Sequence, residues 1–397
     1  MTTALTDTEL NWAADFVRDR VRPLESRPFD AELRSTLVDD LGAEVRARGL
    51  WAPHLKVEDG GAGFTWIEIA RMFEVLGVSP LAPIAFGCWP PDSVNAQMMA
   101  ECVTEEQRER WLRPLVAGEI TTAFAMTEPG AGSDPSLLSS GAEFIDGEWV
   151  LNGRKTWITN GSRADLVVTV FVTGADAKGR PTASLFLVPR NTPGFTVVRN
   201  LPHIGNPDGN DQVVDLHSEL EFVDVRLPAE ALLGGVGDGF RLAQIRLAAA
   251  RLQHCMRWIA LAEQALTLMA ERAATRRAHG GLLADKATVQ HYIARAATGI
   301  HLSRLLVMDA ARLIDEKGTR AARVEIAMCK VYVANVLGQT IDDAIQVHGA
   351  AGLSGNYPLE AMARFARGAR LLDGPDEVHE MVISRSTVAA RTEGAPA

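Results

Sequence analysis

Over roughly the first 120 residues, apolar positions recur every three to four residues in stretches such as TDTELNWAADFVRDRVRPL and STLVDDLGAEVRARGL, broken by Pro and Gly. That period predicts an N-terminal helical domain over residues 1–120. Thr6 or Thr8 is placed to cap the first helix, and Thr104 with Gln107 three residues on has the pattern of a capping box. From 121 to 233 the pattern changes to short runs rich in Val, Thr, Phe and Trp, such as LVVTVFV and ASLFLVP, with Asp146-Gly147 and Asn152-Gly153 as turn pairs. These runs predict a middle β domain. Past Gly239 the helical period returns in long segments near 240–275, 285–316 and 320–348, which predicts a C-terminal four-helix bundle over 234–397. The expected class is therefore α+β, in the order helical, β, helical.

Composition narrows the function without naming it. With 47% hydrophobic and 23% charged residues among 397, the chain can bury a large core. A net charge of -10 argues against general binding to nucleic acid or to an anionic membrane surface. Cys88, Cys102, Cys255 and Cys329 are too scattered to read as a disulfide framework or a zinc site, so no metal is expected. The start MTTALTDTEL has no basic region followed by an apolar core, and no apolar run is long enough to span a bilayer. A cytoplasmic protein with a disordered ARTEGAPA tail is the expectation.

Two motifs carry candidate chemistry in the β region. TAFAMTEPGAGSD, residues 122–134, runs from an apolar strand into a loop whose glycines permit close backbone approach and free N–H donors. Neither GxGxxG nor GxxxxGKS is present, so a dinucleotide fingerprint or a P-loop has no support. KTWITNG, residues 155–161, places Trp157 and Thr159 on one strand face by the two-residue period. A flat aromatic beside a hydroxyl suits a flat heterocycle, although an isolated strand Trp is more often plain core.

The pair, at this separation, resembles the acyl-CoA dehydrogenase family, and the likeness extends over nearly the whole chain. It implies that family's three-domain fold and an FAD cofactor. Matched position by position, the resemblance puts Phe124, Met126, Thr127, Gly132 and Ser133 on the flavin, with Ser133 also near the substrate's pantetheine. It lays the Trp157–Ile158–Thr159 stretch against the isoalloxazine, with Thr159 near N5. Arg251 matches a substrate-binding arginine and Arg276 one on the FAD pyrophosphate, where a planar guanidinium suits phosphate. Outside that context each would read as an ordinary solvated helix charge. QVHGAAG resembles the segment through which Gln346, Val347, His348, Gly349 and Ala350 would reach the FAD of a neighbouring subunit, implying a homodimer or homotetramer. Gly349 and Gly352 also suit a helix end. Ala287 and Ala350 stand where the family more often has Gln and Gly, and His279 receives no catalytic role.

LLDGPDEVHE, residues 371–380, falls where many members carry the glutamate that removes the substrate's α-proton, and here the residue is Asp373. This version resembles the branch of family members 10 and 11, read here without their additional kinase-like domain. Pro375, Asp376 and Glu377 then occupy positions that meet the flavin nucleotide. An aspartate reaches about 1.5 Å less far than a glutamate, and a misplacement near 1 Å can cost about 10²-fold in rate. Leu371 and Leu372 are expected to desolvate Asp373 and strengthen it as a base. Asp-Gly by itself would read as a turn. The resemblance implies an acyl-CoA substrate and an electron-transfer flavoprotein as electron acceptor. The alternatives are an oxidase of the same fold, of acyl-CoA or nitroalkane type, and a catalytically silent CoA-thioester or FAD binder.

Overall fold

The structure, a computed structural model, describes residues 5–214 and 216–392. The chain divides into two compact units. One is built from Arg20–Phe64 and Pro83–Leu247, the other from Leu5–Asp19, Thr65–Ala82 and the described residues from Ala248 on. The helices are α1 (Asp7–Phe16), α2 (Ala31–Ser35), α3 (Gly42–Ala47), α4 (Trp66–Leu76), α5 (Ala82–Ala85), α6 (Asp92–Ala100), α7 (Glu105–Gln107) and α8 (Arg113–Ala117) before the strands. After the strands come α9 (Gly239–Thr275), α10 (Ala287–Lys317), α11 (Arg323–His348), α12 (Leu359–Ala369) and α13 (Asp376–Thr392). The α+β class and the order helical, β, helical are those the periodicity predicts.

In the first unit, the strands are β1 (Thr122–Ala125), β2 (Gly141–Ile145), β3 (Glu148–Thr159), β4 (Leu166–Ala175), β5 (Pro181–Pro189), β6 (Phe195–Asn200), β7 (His217–Pro228) and β8 (Leu232–Leu233). They form one sheet in the order β6-β7-β3-β2-β4-β5-β8, with β1 pairing parallel to β4. Phe171, Phe186, Phe222, Trp149 and Ile158 fill its core, and the Phe171 and Phe222 rings meet edge to face at 5.1 Å. Such pairs add to the burial of area alone.

Turn chemistry decides two local details differently. Asp146 (φ 53) and Gly147 (φ 88) make the tight turn between β2 and β3, as their sequence predicts. Asn152-Gly153, expected as a second turn, instead lies inside β3, where the pairing with β7 slips by a bulge. The glycine is required by space: a Cβ there would sit 2.3 Å from the Ser140 Cβ. Asn152 serves the bulge by accepting the Asp224 N–H through Oδ1 at 2.8 Å. An Asn-Gly pair thus marks a strand irregularity as readily as a turn.

In the second unit, α9 to α13 gather with α1 and α4. Thr6 caps α1 in a capping box with Glu9, the first of the two candidates. Thr65 caps α4 in the same way, and the Asp315 carboxylate accepts the Trp66 and Ile67 N–H groups at 2.8 and 3.2 Å. Those donors have no partner within their own helix, and an anion there also meets the helix dipole favourably. The Thr104–Gln107 capping box, in the first unit, is present too. Gly349, at φ 65, ends α11. Among the described residues no helix is long and apolar enough to cross a membrane.

Candidate functional site

The two β-region motifs are joined by a buried ion pair that the sequence did not announce. Lys155 Nζ lies 2.7 Å from Glu128 Oε1, the two side chains being 0% and 3% exposed, and Nζ also donates to the Met126 carbonyl at 3.3 Å. The Glu128 carboxylate further accepts the Ser139 N–H, the Ser139 hydroxyl and the Ser140 N–H. Burial alone would raise the Glu128 carboxyl, but the Lys155 charge and these donors outweigh it and hold it below its usual range. Burial dominates at Lys155 and brings it down to about 8. The Thr156 N–H closes the junction on the Thr127 carbonyl at 2.9 Å.

Beyond this anchor the loop opens outward. Gly132, at φ 55, turns it, and Gly132 and Ser133 are exposed. No atom lies within 4 Å of where a Cβ of Gly130 or Gly132 would stand. Phe124 is 9% exposed, and the Arg246 guanidinium lies 4.3 Å over its ring. Arg246 in turn donates to Asn95 Oδ1, Asn95 to the Thr122 hydroxyl, and Thr122 to the Asp92 carboxylate.

At the tryptophan strand the two-residue period fails locally. The β3–β7 register shifts between Lys155 and Ile158, and Trp157 takes φ 59, so the chain bulges and the indole stands 52% exposed. Trp157 and Thr159 still share a neighbourhood, because both border His217: the rings lie 6.1 Å apart and Thr159 Oγ1 is 3.1 Å from His217 Nδ1. Ile158 between them points its side chain into the sheet core at 2% exposure, leaving only its backbone toward the Trp157 side.

The second unit arranges basic groups around Asp373. This residue sits at φ 53 in the turn before α13, followed by Gly374 at φ 107, so the Asp-Gly pair does form a turn. Arg251 donates through Nε to the Asp373 carbonyl at 2.8 Å. His254 Nε2 lies 3.3 Å from Asp373 Oδ2, with side-chain exposures of 17% and 18%. Lys330 is fully buried and donates to the Ala369 carbonyl at 2.6 Å. Of the two leucines expected to shelter it, Leu371 is 57% exposed and Leu372 half-buried, and the carboxylate faces the His254 nitrogen.

The remaining predicted residues divide. Arg251 lies inside α9, while Arg276 follows that helix and is exposed. Gln346, Gly349 and Ala350 are exposed, but Val347 is buried and His348 is committed to the Ala344 carbonyl at 2.8 Å and to the Tyr357 ring. Asp376 is 4% exposed, with its Oδ2 taken by Arg370 at 2.6 Å and Asn335 at 3.1 Å, whereas Glu377 is exposed and Pro375 half-buried. His254, Lys155 and Glu128 were not singled out in the sequence. The i, i+3 spacing of Arg251 and His254 on one helix face was the available signal for His254. Among the described residues no group of three or more His, Cys, Asp or Glu is arranged to hold a metal ion.

The first unit also contains a cavity of about 470 Å³ lined by Trp51, Trp89, Arg34, Asp92 and Arg163 among others. None of the predicted site residues lines it.

Three family models match the chain in succession: acyl-CoA dehydrogenase, N-terminal domain, over residues 9–119; the middle domain over 123–225; and the C-terminal domain over 237–388. Acyl-CoA dehydrogenase family member 10 of Mus musculus is 41% identical over 387 residues, covering 93% of this chain and 36% of that protein. A probable acyl-CoA dehydrogenase of Mycobacterium tuberculosis is 40% identical over 354 residues, covering 88% of this chain and 85% of that one. The chain thus spans about a third of the mouse relative's length and most of the mycobacterial one. Among solved structures, butyryl-CoA dehydrogenase from Megasphaera elsdenii superposes with a TM-score of 0.82 at 28% identity, covering 98% of this chain and 100% of that chain.

Proposed function

The chain belongs to the acyl-CoA dehydrogenase family, whose members are FAD-binding flavoproteins, and on that premise we propose that it desaturates the α,β bond of an acyl-CoA thioester with Asp373 as the base. The observation that carries this reading is the setting of Asp373, a half-sheltered carboxylate whose carbonyl is held by Arg251 and whose Oδ2 faces His254. A base that must meet a weakly acidic C–H needs a fixed position more than a high pKa.

The residues of the first unit fit a flavin. Trp157 offers an exposed indole face, Thr159 a hydroxyl beside it, and the turn at Gly130–Ser133, whose Ala131 and Gly132 N–H groups donate to the Glu128 carbonyl, leaves the Gly130 and Ser133 N–H groups to a ligand, with open space above its glycines. Planar stacking and backbone donors are what a ring system and its pyrophosphate require. When bound, FAD supplies the acceptor for the substrate's β-hydride. Asp373 takes the α-proton onto its carboxylate, so that the proton and the hydride leave from adjacent carbons. Arg251 holds the turn from which Asp373 acts, and the Lys155–Glu128 pair holds the flavin loop against the tryptophan strand.

The electron acceptor in this reading is an electron-transfer flavoprotein, and the protein is a homo-oligomer in which the exposed Gln346, Gly349 and Ala350 meet a neighbouring copy. The acyl groups to test first are 4-hydroxyacyl, longer and branched ones. The experiment is anaerobic mixing of the purified yellow protein with a panel of acyl-CoA thioesters. Bleaching of the flavin by at least one thioester, with slow reoxidation in air and loss of bleaching in Asp373→Asn, is the expected outcome. Peroxide release at the turnover rate would place the protein among the oxidases, and Asp373→Asn bleaching as fast as wild type would remove Asp373 from the role.

A further inference from the structure

His254 lies on α9 one turn from Arg251, and its two ring nitrogens face opposite kinds of partner. Nε2 lies 3.3 Å from Asp373 Oδ2, and Nδ1 lies 2.9 Å from Arg257 Nη2. A guanidinium has only donors and stays protonated at any working pH. Nδ1 must therefore present its lone pair to Arg257, and in a neutral imidazole the single proton then resides on Nε2. That proton points at the carboxylate, which when ionised can only accept. The ring plane is fixed as well, because the imidazole stacks on Trp258 with centroids 5.5 Å apart at 16°.

We infer that His254 is a positioning residue for Asp373, locked by Arg257 in the Nε2–H tautomer so that it orients the carboxylate by hydrogen bonding and does not receive the substrate's proton. This rests on the reading of Asp373 as the base. The proton that leaves the substrate's α-carbon ends on the Asp373 carboxylate, and His254 keeps its one proton throughout. A protonated His254 would oppose this arrangement, since it could no longer accept from Arg257 and would pair with Asp373 as an ion, weakening the base.

The surroundings agree. Burial first, then Arg257 and Lys330, lower the His254 pKa, against the raising effect of Asp373. The groups that face the pair come from three directions. Arg251 and Arg257 come from α9 itself, Lys330 from α11 with Arg323 of the same helix acting on Arg251, and His379 from α13. Lys330 Nζ lies 5.1 Å over the Trp258 ring and 3.4 Å from the Gly374 carbonyl. His379 packs so close that a Cβ on Gly374 would come within 3.0 Å of its Nε2, and burial brings His379 down to about 4. The cationic groups Arg257 and Lys330 disfavour a second proton on the ring, and the Asp373 carboxylate favours it.

The test has an activity arm and a spectroscopic arm. In the activity arm, the rate of flavin reduction is followed against pH in the wild type, His254→Leu, His254→Gln and Arg257→Met. A hydrogen bond to a charged group is worth enough to move the acid limb by roughly one to two pH units. Upward displacement in His254→Leu, return toward wild type in His254→Gln, whose amide restores a donor near the Nε2 position, and a second ionisation in Arg257→Met are expected. An acid limb unmoved in His254→Leu would overturn the proposal. In the spectroscopic arm, ¹⁵N-labelled histidine is read by NMR, with His254→Gln supplying the assignment. An Nε2–H imidazole at pH 7 is expected, and an Nδ1–H tautomer or an imidazolium would overturn the proposal. The spectrum does not depend on Asp373 being the base, whereas unimpaired reduction by Asp373→Asn would defeat that reading and leave only the tautomer of His254 standing.

Discussion

Lys155 and Glu128 form a buried ion pair across 2.7 Å, and they come from the two motifs that carry the family resemblance. The pair binds the tryptophan strand to the glycine-containing loop from beneath. Removing one member leaves the other charge buried without its partner, which costs about 3–5 kcal/mol in comparable cases. Lys155→Met should therefore lower the thermal midpoint markedly and reduce the FAD retained on purification. Lys155→Met combined with Glu128→Gln should recover part of the stability, as read by chemical denaturation. Recovery of stability without recovery of flavin content would show that the pair acts on loop geometry.

The same pair predicts an acid sensitivity. The Glu128 carboxyl is held below its usual 4.5 in the folded state, so its contribution is present above that value and is lost as pH falls through the folded pKa. Denaturation midpoints measured from pH 7 down to pH 3 should fall less steeply in the double variant than in the wild type.

Trp157 occupies the left-handed region at φ 59, a conformation that costs a bulky residue about 1–3 kcal/mol. Trp157→Gly should relieve that strain and give an apoprotein at least as stable as Trp157→Ala. Both variants should bind FAD roughly 5- to 150-fold more weakly, since aromatic stacking on a flat base is worth roughly 1–3 kcal/mol. Equilibrium titration of the apoprotein with FAD, beside thermal melts without it, separates the two effects.

Asp92 predicts the opposite pH dependence. Burial pushes its carboxyl up to about 6, while it accepts the Thr122 N–H and hydroxyl at 2.6 and 2.7 Å. A folded pKa raised above 3.8 means that the group favours the folded state most when protonated, and that this stability is lost as pH rises through about 6. Asp92→Asn keeps an acceptor for Thr122 and removes the charge. The variant's melting temperature relative to wild type should be higher at pH 7.5 than at pH 4.

Gly153 tests the bulge in β3. Gly153→Ala would bring a methyl within 2.3 Å of the Ser140 Cβ, and overpacking of this kind typically costs about 1–3 kcal/mol. Urea denaturation should show that loss in Gly153→Ala, and Gly153→Ala with Ser140→Gly should regain part of it.

These cases mark where sequence reading succeeds. The capping box at Thr104, a first-helix cap at Thr6 or Thr8, the Asp146-Gly147 turn and the long C-terminal helices are legible because each is decided by residues within a few positions of one another. The Asn152-Gly153 pair was misread for the same reason: its local chemistry suits a turn, but pairing with β7 and the approach of Ser140 make it a strand bulge. Trp157 was found as a candidate, yet its exposure comes from a register slip that no two-residue period contains.

By itself the sequence determined the α+β order and the family, and it put an aspartate, Asp373, at the position that the resemblance matches to the base. Only the tertiary structure decided what surrounds that aspartate. Arg251 is 122 positions away from it, and Leu371 beside it is exposed. The physical reason is range: periodicity and capping act along a few residues of chain, whereas a carboxylate's partners, desolvation and orientation are set by side chains that only folding brings within hydrogen-bonding distance.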